Sequence, residues 1–282
     1  MVARTSPTER QKRLGAEVRK LRLAAGMSIE YAAGLLGVDR SKISHMESGI
    51  RAISPDRLRT LACNCACAEQ EYVDALVDMT RPARGWWERY RGNLPAGHLD
   101  IADMEWRAMR MRIAHFVHMP GLLQCNDHAL AIFRTSVPPL PEHEVALRVA
   151  HRLERAQVLH REDPPEFVAI LHEAVLRMQF GGCKVARAQM EHLLRLTERD
   201  NVVLRVVPFA AGSFPGSGQT VIYAEGPVPQ LDTVQVDSTH GPEFLHEEAQ
   251  LSKYRGQLDW LERLALTPDA SRDLVHSIAN EL

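Results

Sequence analysis

The stretch Ser28–Gly49, SIEYAAGLLGVDRSKISHMESG, constrains this chain more than any other. Its residues predict two short helices joined by a tight turn. The first runs from about Ile29 to Leu36, with Ser28 ahead of it, where a hydroxyl accepts from an unpaired amide of the first turn. Gly37 stops this helix, because the chain needs a residue there that tolerates positive φ. Asp39 stands as N-cap of a second helix, about Arg40 to Ser48, which Gly49 closes. Ala32, Ala33, Leu36, Val38, Ile43 and Met46 supply an apolar back, and Ala33 is small where two helices cross. The front of the second helix carries Arg40, Ser41, Lys42, Ser44 and His45, all hydrogen-bond donors, which suits the major groove of DNA. A helical hairpin with a solvated polar face accounts for the same pattern.

The flanks narrow the choice. Leu14, Val18 and Leu21 recur at i, i+4 and i+7, which predicts an amphipathic helix upstream. Ser6-Pro7-Thr8-Glu9 reads as its start, with Ser6 as cap, Pro7 at the first helical position and Glu9 as capping-box partner. Ser54-Pro55 repeats the signal before a helix over about Arg57–Ala62 with Leu58 and Leu61 inside. Residues 68–79 form a fifth helix with Tyr72, Val73, Leu76 and Val77 apolar.

VRKLRLAAGMS, AAGLLGV, SKISHMESG and SPDRLRTLA together resemble the XRE-type, lambda-repressor-like helix-turn-helix family. The resemblance implies a structural ion pair between Arg22 and Glu47. It implies backbone contacts to DNA from Ser28 and the Gly49–Arg51 loop, and a base- and phosphate-facing surface made of Arg40, Ser41, Lys42, Ser44 and His45. Ile29 departs from the pattern, which usually places glutamine there.

Charge distribution agrees with a basic head. The net charge of −2 argues against bulk attraction to nucleic acid, but residues 1–62 hold 12 Lys/Arg against 6 Asp/Glu, a net of +6. The remainder holds 22 (34 less 12) against 30 (36 less 6), a net of −8. The 282 residues suffice for two domains. Five cysteines, no long apolar run and no secretory leader imply a cytoplasmic protein with free thiols. Cys63, Cys65 and Cys67 are spaced unlike a zinc knuckle and read as small buried residues at a helix–helix turn.

Residues 81–100 read as a linker arm broken by Pro82, Gly85, Pro95 and Gly97, in which Trp86, Trp87 and Tyr90, among Arg84, Glu88, Arg89 and Arg91, form a short helix that docks on a second domain. From Ile101 the spacing of Met104, Ala108, Met111, His115 and Val117 predicts helix. Another helix covers about Glu142–His160; its apolar stripe is Val145, Val149, Leu153, Ala156 and Leu159. The face bearing Arg148, His151, Arg152 and Arg155 reads by default as solvated, with binding of an acidic partner or phosphate as the alternative. Glu166–Leu171, Val202–Val207, Thr220–Ala224 and Thr233–Asp237 are β-branched runs that predict strands, with helices at about 173–180, 186–199, 246–264 and 269–282. The predicted fold is mainly α: an all-α five-helix DNA-binding domain over 1–80, the arm, and an α+β domain over 101–282 with a small sheet flanked by helices.

The second half resembles the C-terminal half of WhiJ-like actinobacterial regulators through VHMPGLLQCNDHALAIFR, HEAVLRMQFGG, ARAQMEHLLRL, VVLRVVPFAAGSFPGSG and LALTPDASRDLVHSIANEL. The resemblance implies a transcriptional regulator, often beside a small acidic partner protein, with some members antitoxin-like. It brings no chemistry for this domain.

No complete catalytic motif appears. Phe209–Gly218 is a Gly/Ser loop without a P-loop ending, and Phe209, Gly212, Ser213, Phe214, Gly216, Ser217 and Gly218 make it a candidate ligand or partner loop. His240, Glu243, His246, Glu247 and Glu248 lack metalloprotease spacing. His172-Glu173 reads either as an acid/base pair or as a capped helix start. No catalytic residue, cofactor or metal is therefore expected. The expected function is sequence-specific binding of double-stranded DNA by a homodimeric regulator. The alternatives are an antitoxin-like module that binds a small partner protein and a regulator that senses a small molecule.

Overall fold

Five helices fill the N-terminal unit: α1 (Glu9–Ala24), α2 (Ile29–Leu35), α3 (Arg40–Glu47), α4 (Pro55–Asn64) and α5 (Gln70–Met79). The computed structural model describes residues 6–82, 85–215, 218–238 and 240–282. The chain divides into two units. One holds residues through Arg91 together with Pro95–Met104 and Pro227–Gln230, and the other holds Gly92–Leu94, Glu105–Gly226 and Leu231–Leu282. The segment Trp86–Tyr90, expected to dock on a second domain, is a 3-10 turn that groups with the first unit, with Trp87 and Tyr90 buried. Arg84 lies outside the described residues.

α1 begins two residues later than its sequence signal. Thr8, not Ser6, is the N-cap: its hydroxyl accepts from Gln11 N at 3.3 Å while Gln11 Oε1 accepts from Thr8 N at 2.9 Å. Gln11 thus completes the capping box that Glu9 was expected to complete, because Glu9 is already the first helical residue. Leu14, Val18 and Leu21 of α1 are buried, as are Ala32, Ala33, Leu36, Ile43, Met46, Leu58 and Leu61 of the other helices and their caps. α1 lies close against the end of α3 and the turn after it at two glycines. A Cβ on Gly15 would stand 2.6 Å from Met46 O, and one on Gly49 would stand 2.7 Å from Gln11 O.

The second unit is built on a six-stranded mixed sheet of β1 (Arg110–His115), β2 (Glu166–His172), β3 (Val202–Val207), β4 (Val221–Glu225), β5 (Thr233–Ser238) and β6 (Gly241–Leu245), ordered β3-β2-β1-β4-β5-β6. β1, β2 and β3 are parallel; β4, β5 and β6 add antiparallel. The helices are α6 (Ala96–Arg107), which starts in the first unit, α7 (Asn126–Arg134), α8 (Glu142–Ala156), α9 (Glu173–Arg177), α10 (Cys183–Leu196), α11 (Glu248–Leu264) and α12 (Pro268–Glu281). The four expected strands and the α+β class are borne out.

Two strands were not expected. The helical period read from Met104 through Val117 holds only to Arg107, after which Met111, Ile113 and His115 follow a period of two. β1 is the central strand, paired with β2 on one side and β4 on the other, and that pairing overrides local preference. β6 contains Gly241 and Pro242, residues tolerated in a strand at a sheet edge.

Alternation along the strands gives each face its own role. Ala114, Val168, Ile170, Val221, Tyr223, Val234 and Val236 pack against Leu251, Leu258 and Leu261 of α11. Phe167, Ala169 and Leu171 of the opposite face are equally buried, as expected where crossover helices cover a parallel sheet. The free edge of β3 is occupied by the α11–α12 connection, where Leu266 N donates to Val206 O at 2.8 Å and Val206 N to Ser271 Oγ at 2.9 Å. β4 runs antiparallel to β1, so it begins beside the carboxyl end of β1.

Candidate nucleic-acid interface

α2 and α3 are held by local chemistry. Ser28 Oγ accepts from Tyr31 N at 3.1 Å, which leaves its hydroxyl proton to donate outward. α2 ends in a Schellman turn: Gly37 has φ +60°, and Val38 N donates to Ala33 O at 3.0 Å. Asp39 occupies the N-cap position of α3, but its carboxylate makes no cap bond and instead meets Lys42 Nζ at 2.7 Å. The hydrogen bond to Lys42 holds the Asp39 carboxyl below the usual range, and the charges of Lys42 and Arg51 add to the effect.

The inner face of α3 is Ile43 and Met46, 3% and 2% exposed. Arg40, Ser41, Ser44 and His45 are exposed on the outer face, with Lys42 half-buried at its flank. The Arg51 side chain is exposed, and its backbone N–H donates to His45 O at 3.0 Å, which ties the loop after Gly49 to the end of α3. The sequence-derived surface residues Ser28, Arg40, Ser41, Ser44, His45 and Arg51 are therefore all solvent-facing.

Behind this surface, Arg22 Nε meets Glu47 Oε1 at 2.5 Å and Arg22 Nη2 meets Glu47 Oε2 at 3.0 Å. Arg22 Nη1 also donates to Met27 O at 2.7 Å, directly before the Ser28 cap. One guanidinium thus joins the end of α1, the entry to α2 and the last turn of α3. Tyr72, read as apolar from the sequence, gives its hydroxyl to Glu17, whose other oxygen lies 3.1 Å from Arg13 Nη2. Burial and the carboxylate push the Tyr72 hydroxyl well above its ordinary value.

Two surface features escaped the sequence reading. Glu30 Oε1 lies 3.1 Å from Arg40 Nη1, so the first cation of α3 carries its own carboxylate. Tyr31 is 61% exposed beside Ser28, and Ile50 is 54% exposed after α3. The position of Glu30 and Tyr31 in the first turn of α2, directly after the Ser28 cap, was the available signal. The cysteines are also less buried than expected: Cys63 is exposed, and Cys65 and Cys67 are half-buried, because they lie on the outer side of the last turn of α4 and the loop after it.

In the second unit, His172 is the N-cap of α9, its Nδ1 accepting from Ala174 N at 3.2 Å. Glu173 Oε2 accepts from Phe209 N at 3.0 Å and Glu173 Oε1 meets Arg177 Nε at 2.7 Å, so this pair serves as a capped helix start and anchors the loop after β3. In that loop, Phe214 stacks on Phe116 at 4.9 Å and Phe209 packs edge-on to His172 at 5.0 Å. Gly212 and Gly218 take positive φ, and Ser213 is exposed; Gly216 and Ser217 lie outside the described residues. A cavity of about 360 Å³ opens beside it, lined by Phe116, Gln219, Lys253, Tyr254 and Gln257 among others. His240 and Glu243 fall at the β5–β6 turn and on the β6 edge strand, and among the described residues no group of three or more His, Cys, Asp or Glu is placed to hold a metal ion.

No helix among the described residues is long and apolar enough to cross a membrane. A helix-turn-helix domain model matches residues 13–76, which cover most of α1, all of α2–α4, part of α5 and the surface described above, and a domain of this kind points to a DNA-binding regulator. Searches of curated proteins and of solved structures gave no significant match. A second model, described as Domain of unknown function (DUF5753), matches residues 99–277, and the chain belongs to that family.

Proposed function

We propose that this protein is a sequence-specific transcriptional regulator that places α3 in the major groove of double-stranded DNA as a homodimer. The observation that carries the reading is the outer face of α3. Arg40, Ser41, Ser44 and His45 are exposed there, while Ile43, Met46 and the Arg22–Glu47 pair fix the helix from behind. In this reading Arg40 and Lys42 contact phosphates or guanine edges, and Ser41, Ser44 and His45 make shorter-range contacts. Ser28 and Arg51 flank the helix and hold the backbone. One such helix reads only a few base pairs, so two copies on half-sites one turn apart supply the affinity.

The test is a binding titration of the full chain on DNA from upstream of its own gene, with unrelated duplex as competitor and Arg40→Ala/Lys42→Ala as control. Competitor-resistant binding lost in the double variant supports the reading. Each phosphate contact removed lowers the salt slope by about 1. Binding by the double variant equal to that of the parent rejects these two residues as contacts.

A second reading concerns control. The cavity beside the Phe209–Gly218 loop and the Phe214–Phe116 stack favour a small-molecule effector held under that loop. Thermal stabilisation by a metabolite mixture, lost in Phe214→Ala, tests it.

A further inference from the structure

The helix α8, whose basic face read as solvated, buries part of that face. His151 and Arg155 are 1% and 7% exposed. Arg155 has its counter-ion: Nε lies 2.8 Å from Glu105 Oε2 and Nη2 lies 2.5 Å from Glu105 Oε1. One turn earlier, Arg152 forms no ion pair among the described residues. It donates from Nη1 to the neutral amide oxygen of Gln124 at 2.8 Å, and its guanidinium lies over the Phe133 ring at 4.9 Å. Gly121 gives it room, since a Cβ there would stand 3.1 Å from Arg152 Cδ. Glu105 and Asp237 act on it electrostatically without forming an ion pair, and Asp237 accepts instead from Gln235 Nε2 at 2.8 Å. Desolvation, with the charge of Arg155 added, draws the Arg152 guanidinium down to about 9.

Three imidazoles adjoin it. His128 on α7 is 2% exposed, and neither ring nitrogen has a hydrogen-bond partner among the described residues. His115 at the end of β1 is 7% exposed; its Nδ1 lies 3.0 Å from His118 O, so Nδ1 carries the proton, and the buried Nε2 is an acceptor without a partner among the described residues. His118 is exposed, and Phe180 lies against both it and His128, at 5.2 and 5.4 Å. Burial pushes both His115 and His128 down to about 4, so both are neutral near pH 7. The group stands at the carboxyl end of β1, the end where open α/β sheets take their ligands.

Buried polar groups without partners are costly and rare in native proteins. Here the unmet groups are imidazole nitrogens of His128 and the bare acceptor of His115, beside a half-buried guanidinium whose hydrogen bond goes to a neutral amide. A carboxylate answers only the donors. A phosphate near neutral pH carries bare oxygens for the guanidinium and imidazole N–H groups and also a P–OH for the acceptor. We infer that Arg152, His118 and His128 bind the phosphate group of a small molecule, with His115 Nε2 accepting from its protonated oxygen. The inference does not rest on DNA binding.

The experiment is calorimetry and thermal unfolding of the full chain with inorganic phosphate at pH 7, with sulfate as the tetrahedral anion that lacks a proton. Saturable binding of one phosphate per chain is expected, with sulfate at least about tenfold weaker because it leaves His115 unanswered. Arg152→Met is expected to abolish binding and to change the unliganded Tm little, since the loss of a desolvated charge is offset by the buried Gln124 Oε1 left without its donor. His128→Leu breaks no hydrogen bond, so it is expected to keep the fold and weaken phosphate binding by about tenfold or more. No saturable phosphate binding by the folded parent, equal binding of sulfate, or unchanged binding in Arg152→Met would each overturn the inference.

Discussion

Glu47→Ala tests whether the helix-turn-helix surface is set from behind. The Arg22 and Glu47 side chains are 7% and 8% exposed, and their forked contact leaves Arg22 with one further bond, to Met27 O. Removing the carboxylate strands a guanidinium where little water reaches it. Breaking a buried pair from one side costs about 3–5 kcal/mol, whereas replacing both partners by apolar residues is often neutral. The double variant Arg22→Met/Glu47→Leu should therefore recover most of the stability that Glu47→Ala loses. Native-state hydrogen exchange reads this directly on the α1–α3 amides. Exchange in Glu47→Ala should accelerate by about a hundredfold to several thousandfold, while amides of β1–β3 stay unchanged. DNA affinity should fall in the single variant and return in the double. An acceleration below about tenfold, or a double variant as damaged as the single one, refutes the argument that this pair locks α3 to α1.

The other expectations follow from close approach and from burial. Gly15→Ala pushes a methyl into backbone atoms of Met46 and Glu47 and should cost about 1–3 kcal/mol or more, read as a lower Tm. Gly34→Ala in α2 meets nothing within 4 Å and should be neutral to slightly stabilising in the same assay. Asp100 accepts from Glu9 N at 3.1 Å, but burial raises its carboxyl to about 6. Its folded state thus holds the proton more tightly than the unfolded chain, so its cost is full above pH 6 and fades as the pH falls toward 4. Asp100→Asn should raise stability at pH 8, by about 1 kcal/mol after solvent screening, and lose that advantage by pH 4 in denaturant titrations. His115 and His128 have the opposite sign. Their folded values of about 4 lie below the unfolded one, so protons favour the unfolded chain and the second unit should weaken as pH drops from 6.5 to 4. His128→Leu should flatten that slope.

What the sequence made legible is what short-range chemistry decides. Ser28, Gly37 and Gly49 marked the ends of α2 and α3 because caps and positive-φ turns act within four residues. The strands β2 to β5 showed through as β-branched runs. β1 did not, because Arg110–His115 is a strand by virtue of β2 and β4 on either side, and its Met and Ala suit a helix equally. The basic stripe of α8 read as solvated because nothing near it in sequence announces Glu105, 50 residues away from Arg155. The same distance hid the Arg152 group, whose members come from β1, the loop after it, α7 and α8. Thr8 displaced Ser6 as cap because two hydroxyls competed for one helix start, and the one with Gln11 three residues on prevailed.

The surface proposed to face DNA carries acid as well as base, and this bears on how it would bind. Arg40 pairs with Glu30 at 3.1 Å and Lys42 with Asp39 at 2.7 Å, in side chains that are all at least 38% exposed. Exposed pairs of this kind are weak, so phosphates displace them readily, yet each carboxylate left behind repels the backbone it faces. Glu30→Gln frees Arg40 and removes one such repulsion without touching the core. DNA affinity should rise by about two- to fivefold at low salt and by little at high salt, where the charges are screened. If Arg40 holds phosphate, the gain should appear on the operator and on unrelated duplex alike. If Arg40 reads a base, the gain should be confined to the operator, because only there does the freed guanidinium find its partner. Unchanged affinity on both at low salt would show that Arg40 takes no part in the interface, and would move the contact surface toward Ser44, His45 and Arg51.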